Sequence, residues 1–390
     1  MNKQARIIIA SAITHIHPGA GRSPGVVDLP VIRDSLGYPF IRGSMIKGAI
    51  KTSLYKAAEP TKDNRKDDDS QDQNQNKKSQ DECKAGNDDH RILKCLLGGD
   101  IGEGDKGAAA ISIQDLYPLV IPAPAYPASD PSGVLGRCGV ELGGVVYVTT
   151  WTLLSRALAY AKTAGFKELE ETLTRLLENS GEGNVLYNTK AAGSSVTLTV
   201  SGHIVQAKII NPGLDNDGNT RENDTGNIFK EVEDLNPLYK SYPILDRLLV
   251  LDDLHGKIVI ERSLERVTRV SIDKATKTVS SRHLWTEEYI PWGTLFIGLV
   301  VDTLFRNKCC IKNQDTSKSN KSEGDRSHDT SLEDNPISMF TRLVKDKIAN
   351  TVVVGGKETV GSGILKLAFP PEDKQANEDT ENAQNSDNTS

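Results

Sequence analysis

The chain has 390 residues, 26% of them charged, and a formal net charge of −6, which taken alone argues against a nucleic-acid partner. The acidity is concentrated in three stretches with almost no apolar residues: 59–91, 312–335 and 370–390. Acidic side chains outnumber basic ones in these stretches by three, two and five, respectively. Such stretches cannot bury a core. The remaining 312 residues carry +4 and are enough for two packed units, so we expect a mildly basic folded surface that suits a polyanion partner.

The cysteines show no metal or disulfide pattern. None of the five is spaced as CxxC, so the sequence predicts neither a zinc site nor a disulfide framework, and reduced thiols in a cytosolic protein are the simplest interpretation. The N-terminus leads into a β-type run rather than a signal-peptide core, and no run reaches the roughly 20 apolar residues of a membrane span. We therefore expect a cytoplasmic protein without a membrane partner. The cysteines are Cys83, Cys95, Cys138, Cys309 and Cys310.

The N-terminal part is typical of a strand, a loop and a helix. Residues 6–13 are short and β-branched, which predicts a buried strand. A loop with three prolines and three glycines follows at 14–33, and Ser44 is a candidate N-cap for a helix that runs to about Lys56. The later patterns predict strands at 108–117, 145–150, 196–210, 257–263, 266–272, 294–305, 351–354 and 363–369, and helices at 153–162, 167–178 and 337–350.

The interleaving of strands and helices predicts an α+β fold. A ferredoxin-like or RRM-like sheet with insertions fits the order of elements best, and the chain contains no tandem repeat. Aromatic residues make up only 5% of the chain, and no RNP-type aromatic pair occurs. Stacking on single bases is therefore not the expected mode of nucleic-acid contact.

The loop GVVDLPVIR at 25–33 places one carboxylate, Asp28, among glycine, proline and basic residues. Cleavage of RNA by its own 2′-hydroxyl needs in-line attack, a base or metal that removes the proton, and charge stabilisation at phosphorus. One carboxylate can position Mg²⁺ or Mn²⁺ while water and phosphate oxygens supply the other ligands. The structural alternative is an Asx-turn that holds the loop.

Two further elements that contain glycine suit a phosphate backbone. In GSMIKG at 43–48, the first amides of a helix, Ser44 and Lys47 would face an anion, and the alternative is an ordinary capped helix. The second element, at 355–363, resembles a P-loop only superficially, because the spacing GxxxxGK[ST] is not met. It is interpreted as a loop against RNA backbone or as a tight turn between two strands.

Five segments together resemble a known family: THIHPGAG at 14–21, GVVDLPVIR at 25–33, GYPFIRGSMIKGAIK at 37–51, LWTEEYIPWGTLF at 284–296 and GGKETVGSGI at 355–364. They are similar to the RAMP superfamily, and within it to the backbone subunits of the type III-B CRISPR effector, the Cmr complex. The backbone subunit of type III-A complexes has a similar aspartate loop. The resemblance covers most of the chain.

This resemblance implies a single RAMP domain over 1–370, with an RRM-like palm, inserted fingers and a β-hairpin thumb that enters the guide–target duplex. Hairpin patterning places the thumb at about 197–251, and we expect disordered inserts at 59–91 and 312–335 and a disordered acidic tail at 371–390. Several copies would stack along a guide RNA with other Cmr-type subunits, and each would cut the paired target RNA once. Guide pairing would read sequence while the protein holds backbone and shape.

The same resemblance assigns residues to the site, with Asp28 as the catalytic and metal-binding residue. His17 corresponds to a histidine near the active site and could act as general acid or base, contact a phosphate or pack in the loop, while His15 competes for the match. Glu287 and Tyr289 match positions near the same site, and the alternative is a surface pair at a strand edge. The RNA-binding candidates are Arg22, Arg33, Arg42, Ser44, Lys47, Lys51, Gly355, Gly356, Lys357, Gly361 and Gly363.

Two competing functions stay open beside the preferred one, a metal-dependent endoribonuclease that cleaves guide-paired target RNA. In the first, the chain is a structural RNA-binding backbone in which Asp28 orders its loop and cuts nothing. In the second, it is a stand-alone enzyme with a phosphate ligand at the two glycine elements, which predicts nucleotide binding by the isolated protein.

Overall fold

The computed structural model describes most of the chain outside the polar stretches. The predicted disordered segments at 59–91, 312–335 and 371–390 lie outside the described residues, except that 88–91 begin a helix and Asn335 caps another. The described residues are 4–58, 88–99, 108–129, 144–181, 183–189, 195–212, 227–273, 275–306, 310 and 335–370. They belong to two compact units, of which unit 1 contains 1–6, 43–114 and 300–352, and unit 2 contains 7–42, 115–299 and 353–390.

Groups of strands and groups of helices follow one another along the chain, and of the helices in the described ranges none is long and apolar enough to cross a membrane. The strands are β1 (Ala5–Ala12), β2 (Ile111–Ile113), β3 (Tyr117–Ser129), β4 (Gly144–Thr150), β5 (Val185–Tyr187), β6 (Ser195–Val200), β7 (His203–Ile210), β8 (Leu248–Leu251), β9 (Glu265–Ile272), β10 (Val279–Tyr289), β11 (Leu295–Asp302), β12 (Thr351–Val353) and β13 (Ile364–Ala368). The helices are α1 (Gly43–Ala58), α2 (Asp88–Leu97), α3 (Trp151–Ala164), α4 (Lys167–Ser180), α5 (Asn227–Glu231), α6 (Pro237–Ser241), α7 (Asp253–Ser263) and α8 (Pro336–Ile348).

Six strands of unit 2 close into a ring. β3 pairs with β4 and β6, β4 with β8, β8 with β5, β5 with β7, and β7 with β6. Apolar side chains of all six strands form one buried cluster, to which α7 adds Val259 and Ile260. The predicted α+β class is confirmed. Because the ring is closed, pairing leaves none of these six strands as a free edge.

The remaining strands lie outside the ring. β11, β1, β13 and β12 continue the sheet from β3, whereas β9 and β10 form a separate two-stranded ribbon, here called the β9–β10 ribbon. Strands β6, β7 and β8, which fall within the predicted thumb range 197–251, are members of the ring. Residues 213–226 of that range lie outside the described residues.

One predicted strand is wrong, because residues 257–263 belong to helix α7. The apolar, β-branched run Ile258–Ile260 is typical of a strand. However, a carboxylate oxygen of Asp252 accepts the N–H of His255 at 2.9 Å and caps a helix that starts just before this run. The capping interaction and the packing of the helix on the ring override the local β preference.

Other elements agree with the sequence patterns or extend them. The predicted strand at 108–117 divides into β2 and the start of β3, and β3 continues through four prolines to Ser129, where proline would ordinarily end a strand. Strand β8 was not predicted, because four apolar residues are too few for a periodic pattern. The predicted helices at 153–162, 167–178 and 337–350 are confirmed as α3, α4 and α8.

The interpretation of the cysteines as reduced thiols is wrong for one pair. Cys95 and Cys310, both in unit 1, form a disulfide across a sequence separation of 215 residues. Both are buried next to Ala110. No local spacing indicates a bond between residues so far apart, so the pattern of cysteines could not predict it. Cys83, Cys138 and Cys309 lie outside the described residues.

The packing of α7 on the ring gives a stability test at Gly256. A Cβ added there would lie 2.2 Å from Cγ2 of Thr150, so Gly256→Ala must displace the helix or strand β4. We expect the free energy of unfolding to fall by about 1–3 kcal/mol, measured by chemical denaturation. Gly48→Ala on the exposed side of α1, where a Cβ meets nothing within 4 Å, should be neutral or slightly stabilising. Wild-type stability in Gly256→Ala would contradict this packing.

Candidate active site

The loop at 28–33, here called the Asp28 loop, lies along β10 of the ribbon. Leu29 forms a parallel bridge with Glu287: the Leu29 N–H donates to the carbonyl of Thr286, and the Glu288 N–H donates to the carbonyl of Leu29, both at 3.0 Å. The loop is therefore held as one short additional strand, although its glycines and prolines are typical of irregular backbone.

The Asp28 side chain is exposed and is oriented through one of its two oxygens. Oδ2 accepts the backbone N–H of Thr286 at 2.7 Å. Among the described residues, none forms a hydrogen bond with Oδ1. Since the partner of Oδ2 is far away in the sequence, the carboxylate does not close a local Asx-turn, and that alternative is not supported. The carboxylate is thus fixed to the ribbon with one oxygen open to a ligand.

The donor set around Asp28 limits how a metal could bind. Within the described ranges, no group of three or more His, Cys, Asp or Glu side chains could hold a metal ion. A single open carboxylate oxygen fits a Mg²⁺ or Mn²⁺ ion whose other ligands come from water and phosphate, as is common for Mg²⁺. It does not fit a dedicated protein cage.

His17 is buried between β10 and the C-terminal glycine cluster, residues 355–363. Its Nδ1 lies 2.7 Å from the carbonyl of Glu288, and because a carbonyl can only accept, Nδ1 carries the hydrogen. The neutral ring therefore keeps its lone pair on Nε2. The carbonyl of His17 accepts the N–H of Gly356 at 3.0 Å, and a Cβ at Gly355, whose φ is +91°, would lie 2.6 Å from the same carbonyl. Glycine is needed there for both space and conformation.

Glu287 lies at the centre of a charge network on one face of the ribbon. Its side chain is 1% exposed and pairs with Lys357 at 2.6 Å and Arg269 at 3.2 Å. It also accepts hydrogen bonds from the Tyr289 hydroxyl and from Nε1 of Trp285. Burial alone would raise the pKa of the Glu287 carboxyl, but hydrogen bonds, led by that from Lys357, outweigh burial and lower this pKa to about 2. The alternative of an exposed strand-edge pair is wrong, since Tyr289 is buried too.

Glu288 organises the opposite face and was not predicted from the sequence. Its side chain, also 1% exposed, pairs with Arg33 at 2.9 Å and with Arg266 at 3.3 Å. Oε2 also accepts the N–H of Val31 at 3.2 Å. The strand alternation that puts neighbouring side chains on opposite faces was the available signal, because two adjacent glutamates cannot both face one side.

The predicted RNA contact Arg33 is engaged by carboxylates. Besides Glu288, it pairs with Glu261 at 2.8 Å, and it donates to the carbonyl of Val31. Burial lowers the pKa of the Arg33 guanidinium, but the hydrogen bonds to the two glutamates raise it overall. Arg22 and Arg42 are exposed. For all three, contact with RNA remains a prediction.

The helix start in unit 1 forms where the sequence predicts it, with Ser44 in its first turn rather than at the cap. Lys47 donates to the carbonyl of Ile111 at 3.2 Å, and Lys51 donates to the carbonyls of Gly98 and Gly99. Burial, with the neighbouring charge of Lys51, lowers the pKa of Lys47. The RNA contacts predicted for Ser44, Lys47 and Lys51 remain predictions, and the two lysines already bind protein carbonyls.

The C-terminal glycine cluster supports the segment that contains the histidines. The N–H of Gly363 donates to the carbonyl of His15 at 3.0 Å, in addition to the bond from Gly356 to His17. Lys357, with a φ of +69°, directs its amine to Glu287. These amides and this amine bind protein atoms, so the tight-turn alternative describes their observed contacts. The RNA contacts predicted for Gly355, Gly356, Lys357, Gly361 and Gly363 are untested.

The low pKa of Glu287 gives a prediction on acid stability. The folded-state pKa of about 2 lies below the ordinary 4.5, so the stabilisation is present above the ordinary value and is lost as pH falls from about 4.5 toward 2. This shift corresponds to about 3 kcal/mol. Glu287→Gln should lower the free energy of unfolding at pH 7 and flatten its decline between pH 4.5 and 2, measured by denaturant titration across this range. The exposed Glu171→Gln serves as control, and a wild-type pH dependence in Glu287→Gln would refute the assignment.

Comparison with known proteins shows the family of the chain. A model of the RAMP superfamily matches residues 9–366. The chain is 28% identical to the CRISPR system CMR subunit Cmr4 of Saccharolobus solfataricus, over 92% of this chain and 94% of the relative. It is 23% identical to the CRISPR system Cmr endoribonuclease Cmr4 of Pyrococcus furiosus, over 94% and 96% of the two chains.

A solved structure has a similar fold. It is the cryo-EM structure of the type III-B Cmr-beta bound to cognate target RNA, one chain of which matches with a TM-score of 0.60 and 24% identity, covering 94% of this chain and 96% of that chain. The Cmr-beta apo state gives a TM-score of 0.59 with the same coverage. Since the family model spans most of the sequence, including the Asp28 loop, β10 and the glycine cluster, the protein belongs to the RAMP superfamily.

Proposed function

We propose that this chain is a backbone subunit of a type III-B CRISPR ribonucleoprotein and that it cleaves guide-paired target RNA through Asp28. Similarity along nearly the whole chain to two Cmr4 proteins, one of them named an endoribonuclease, supports this proposal. The observation that carries it is the exposed Asp28 carboxylate, which the N–H of Thr286 orients through one oxygen while the other stays open.

The assembly follows from the same proposal. Several copies stack along a guide RNA together with other Cmr-type subunits in the cytoplasm, and each copy cuts the paired target once, so that cuts fall at regular intervals. β1, β11 and β13 serve as the RRM-like palm, because each adjoins a segment of the site: the histidine segment after β1, the end of β10 before β11 and the glycine cluster before β13.

The Asp28 loop performs the chemistry in this proposal. Asp28 accepts the proton of the 2′-hydroxyl, whose oxygen bonds to the adjacent phosphorus while the bond from phosphorus to the 5′ oxygen breaks, leaving a 2′,3′-cyclic phosphate and a 5′-hydroxyl that takes its proton from water. The hydrogen bond from Thr286 holds Oδ2 and leaves Oδ1 open for this role. A Mg²⁺ or Mn²⁺ ion bound at Oδ1 would supply charge neutralisation at the phosphate. A single carboxylate provides limited acid–base catalysis, so we expect slow cleavage.

Histidine and glutamate have different roles in this site. His17 offers the Nε2 lone pair of the neutral form of its ring as a proton acceptor, since Nδ1–H is held by the carbonyl of Glu288. Glu287 is ionised at neutral pH, because its pKa is about 2, and its oxygens are occupied. We therefore assign Glu287 to holding Lys357 and Tyr289, whose ring contacts His17 at a centroid distance of 5.3 Å, rather than to proton transfer.

The β-hairpin thumb enters the guide–target duplex, and we call the part of it that opens the duplex the wedge. We assign the wedge to the β9–β10 ribbon rather than to the range 197–251. Leu284 is 64% exposed, and its cross-strand partner Val270 is 44% exposed. Leu284 lies two residues beyond Thr286 on β10, which is about 7 Å along the strand and on the same face. An apolar pair at this distance from the residue that anchors Asp28 could displace a base pair next to the scissile linkage.

Asp28→Asn tests the proposed cleavage directly. The amide retains an oxygen that can accept the Thr286 N–H but removes the charge, so we expect cleavage in the guide-loaded complex to fall by roughly 100-fold or more, with target affinity unchanged. EDTA should stop wild-type cleavage, and added Mg²⁺ or Mn²⁺ should restore it. Gel analysis of cut products and filter binding measure both properties.

The control for Asp28→Asn is Asp234→Asn, which changes an exposed carboxylate paired with Lys240 and should cleave like wild type. Regular cuts that persist in Asp28→Asn would contradict the proposed role and favour the structural-backbone alternative. Nucleotide binding by the isolated chain would favour the stand-alone enzyme instead.

The wedge is tested by a double substitution, Val270→Ser with Leu284→Ser. Loss of apolar surface should misplace the scissile linkage and slow cleavage on the order of 10-fold or more while guide binding persists. Ile204→Ser, which changes an exposed apolar residue of the ring, is the matched control. Chemical probing of the target should show bases next to each cut site becoming paired in the double variant. Unchanged cleavage and unchanged base pairing would assign the wedge elsewhere.

A further inference from the structure

Glu288 contacts the Asp28 loop at three points. Its backbone N–H donates to the carbonyl of Leu29 at 3.0 Å, its Oε2 accepts the N–H of Val31 at 3.2 Å, and the same oxygen pairs with Arg33 at 2.9 Å. Residues 29 and 31 are one strand repeat apart, so a single residue of β10 holds two successive repeats of the loop.

The same residue also reaches the histidine. The carbonyl of Glu288 accepts Nδ1–H of His17 at 2.7 Å, which sets the tautomer of the neutral ring. Asp28 itself is held by the N–H of Thr286, which lies two residues before Glu288 on β10. Glu288 is therefore bonded to both segments that carry the proposed chemistry, while its own side chain is 1% exposed and cannot touch RNA.

The charge on Glu288 is compensated from two sides. Oε2 faces Arg33, and Oε1 accepts Nε–H of Arg266, its cross-strand neighbour, at 3.3 Å. Glu261, on helix α7, pairs with both arginines and is half exposed. Two carboxylates and two guanidiniums thus form one balanced cluster. Among the described residues of this cluster, only Glu288 accepts a hydrogen bond from a backbone N–H of the Asp28 loop.

Register explains why this contact matters. A strand that slips by one residue turns each of its side chains to the opposite face. The Asp28 loop is a short strand with a single bridge to β10, at Leu29, so its backbone pairing with that strand specifies the register on β10 weakly. On its other side, the N–H of Ile32 donates to the carbonyl of Pro18 and ties the loop to the histidine segment. The hydrogen bond from Val31 to Oε2 adds a second point that is satisfied only when Asp28 is next to Thr286.

We propose that Glu288 is a positioning residue for the cleavage reaction: its side chain fixes the register of the Asp28 loop on β10 without touching the substrate, while its backbone carbonyl sets the tautomer of His17. The inference rests on the proposed function for its effect on cleavage, and on the structure alone for its effect on the loop.

The test uses Glu288→Gln and Glu288→Asp in the guide-loaded complex. Glutamine removes the charge facing both arginines, whereas aspartate keeps the charge but shortens the reach to Val31. We expect single-turnover cleavage to fall about 10–100-fold in Glu288→Asp, whose carboxylate no longer reaches Val31, with target affinity within about twofold of wild type. The loss should be smaller in Glu288→Gln, because its amide oxygen can still accept the Val31 N–H. In an Asp28→Asn background, Glu288→Asp should cause no further loss, because both changes act on one group.

Hydrogen exchange provides a readout that does not depend on activity. The amides of Leu29 and Val31 should exchange faster in Glu288→Asp, while the ring strands keep wild-type protection. Glu261→Gln, which alters the same arginine cluster without a bond to the loop backbone, should leave cleavage and loop exchange close to wild type.

The outcomes separate the two proposals. If the wild-type complex does not cleave, the proposed function fails, and faster loop exchange in Glu288→Asp would still support the positioning role. Wild-type exchange at Leu29 and Val31 in Glu288→Asp would overturn it, as would wild-type cleavage in that variant. A further loss from Glu288→Asp in the Asp28→Asn background would also overturn it, because Glu288 would then act independently of Asp28.

Discussion

Two adjacent buried carboxylates at the root of the β9–β10 ribbon determine how the site is built. Successive side chains of a strand point to opposite faces, so Glu287 and Glu288 enter two separate charge networks. The first ties the ribbon to the glycine cluster through Lys357, and the second ties it to the Asp28 loop through Arg33. An arginine of β9 completes each network. Ribbon, loop and glycine cluster are therefore held together through two neighbouring residues.

Such buried ion pairs fix the positions of the paired segments more than they add to the net stability of the fold. Their desolvation cost offsets much of the Coulomb attraction, yet removal of one partner leaves an unpaired buried charge and costs about 3–5 kcal/mol. The arrangement is thus hard to perturb once formed. This suits a site whose proposed reactive group, Asp28, is exposed on a loop and cannot be fixed by burial. Two buried carboxylates give that loop the rigidity that its glycines and prolines do not provide.

The Asp28 loop could be singled out from the sequence as the candidate site, but the residues that hold it in place could not. Asp28 is a lone carboxylate among glycine and proline residues, and the family motif includes it. Glu288 and Lys357 gave no such signal, because their partners are distant in sequence and become neighbours only through strand pairing. The glycines around Lys357 suggested a phosphate loop, whereas a close approach to the carbonyl of His17 requires one of them. In the fold, the prediction of a strand for helix α7 is wrong, because it follows the β-branched run and gives no weight to the capping residue Asp252.

The most direct test of this account is a structure of the assembled complex on a target RNA that carries 2′-deoxy sugars at the cut sites, which prevents attack without changing the backbone. The account predicts Oδ1 of Asp28 beside the scissile linkage, within about 3–3.5 Å of the 2′ position or joined to its phosphate by one bridging metal, with the Thr286 and Glu288 contacts intact. A scissile phosphate distant from Asp28, or a loop detached from β10 in the bound state, would contradict it.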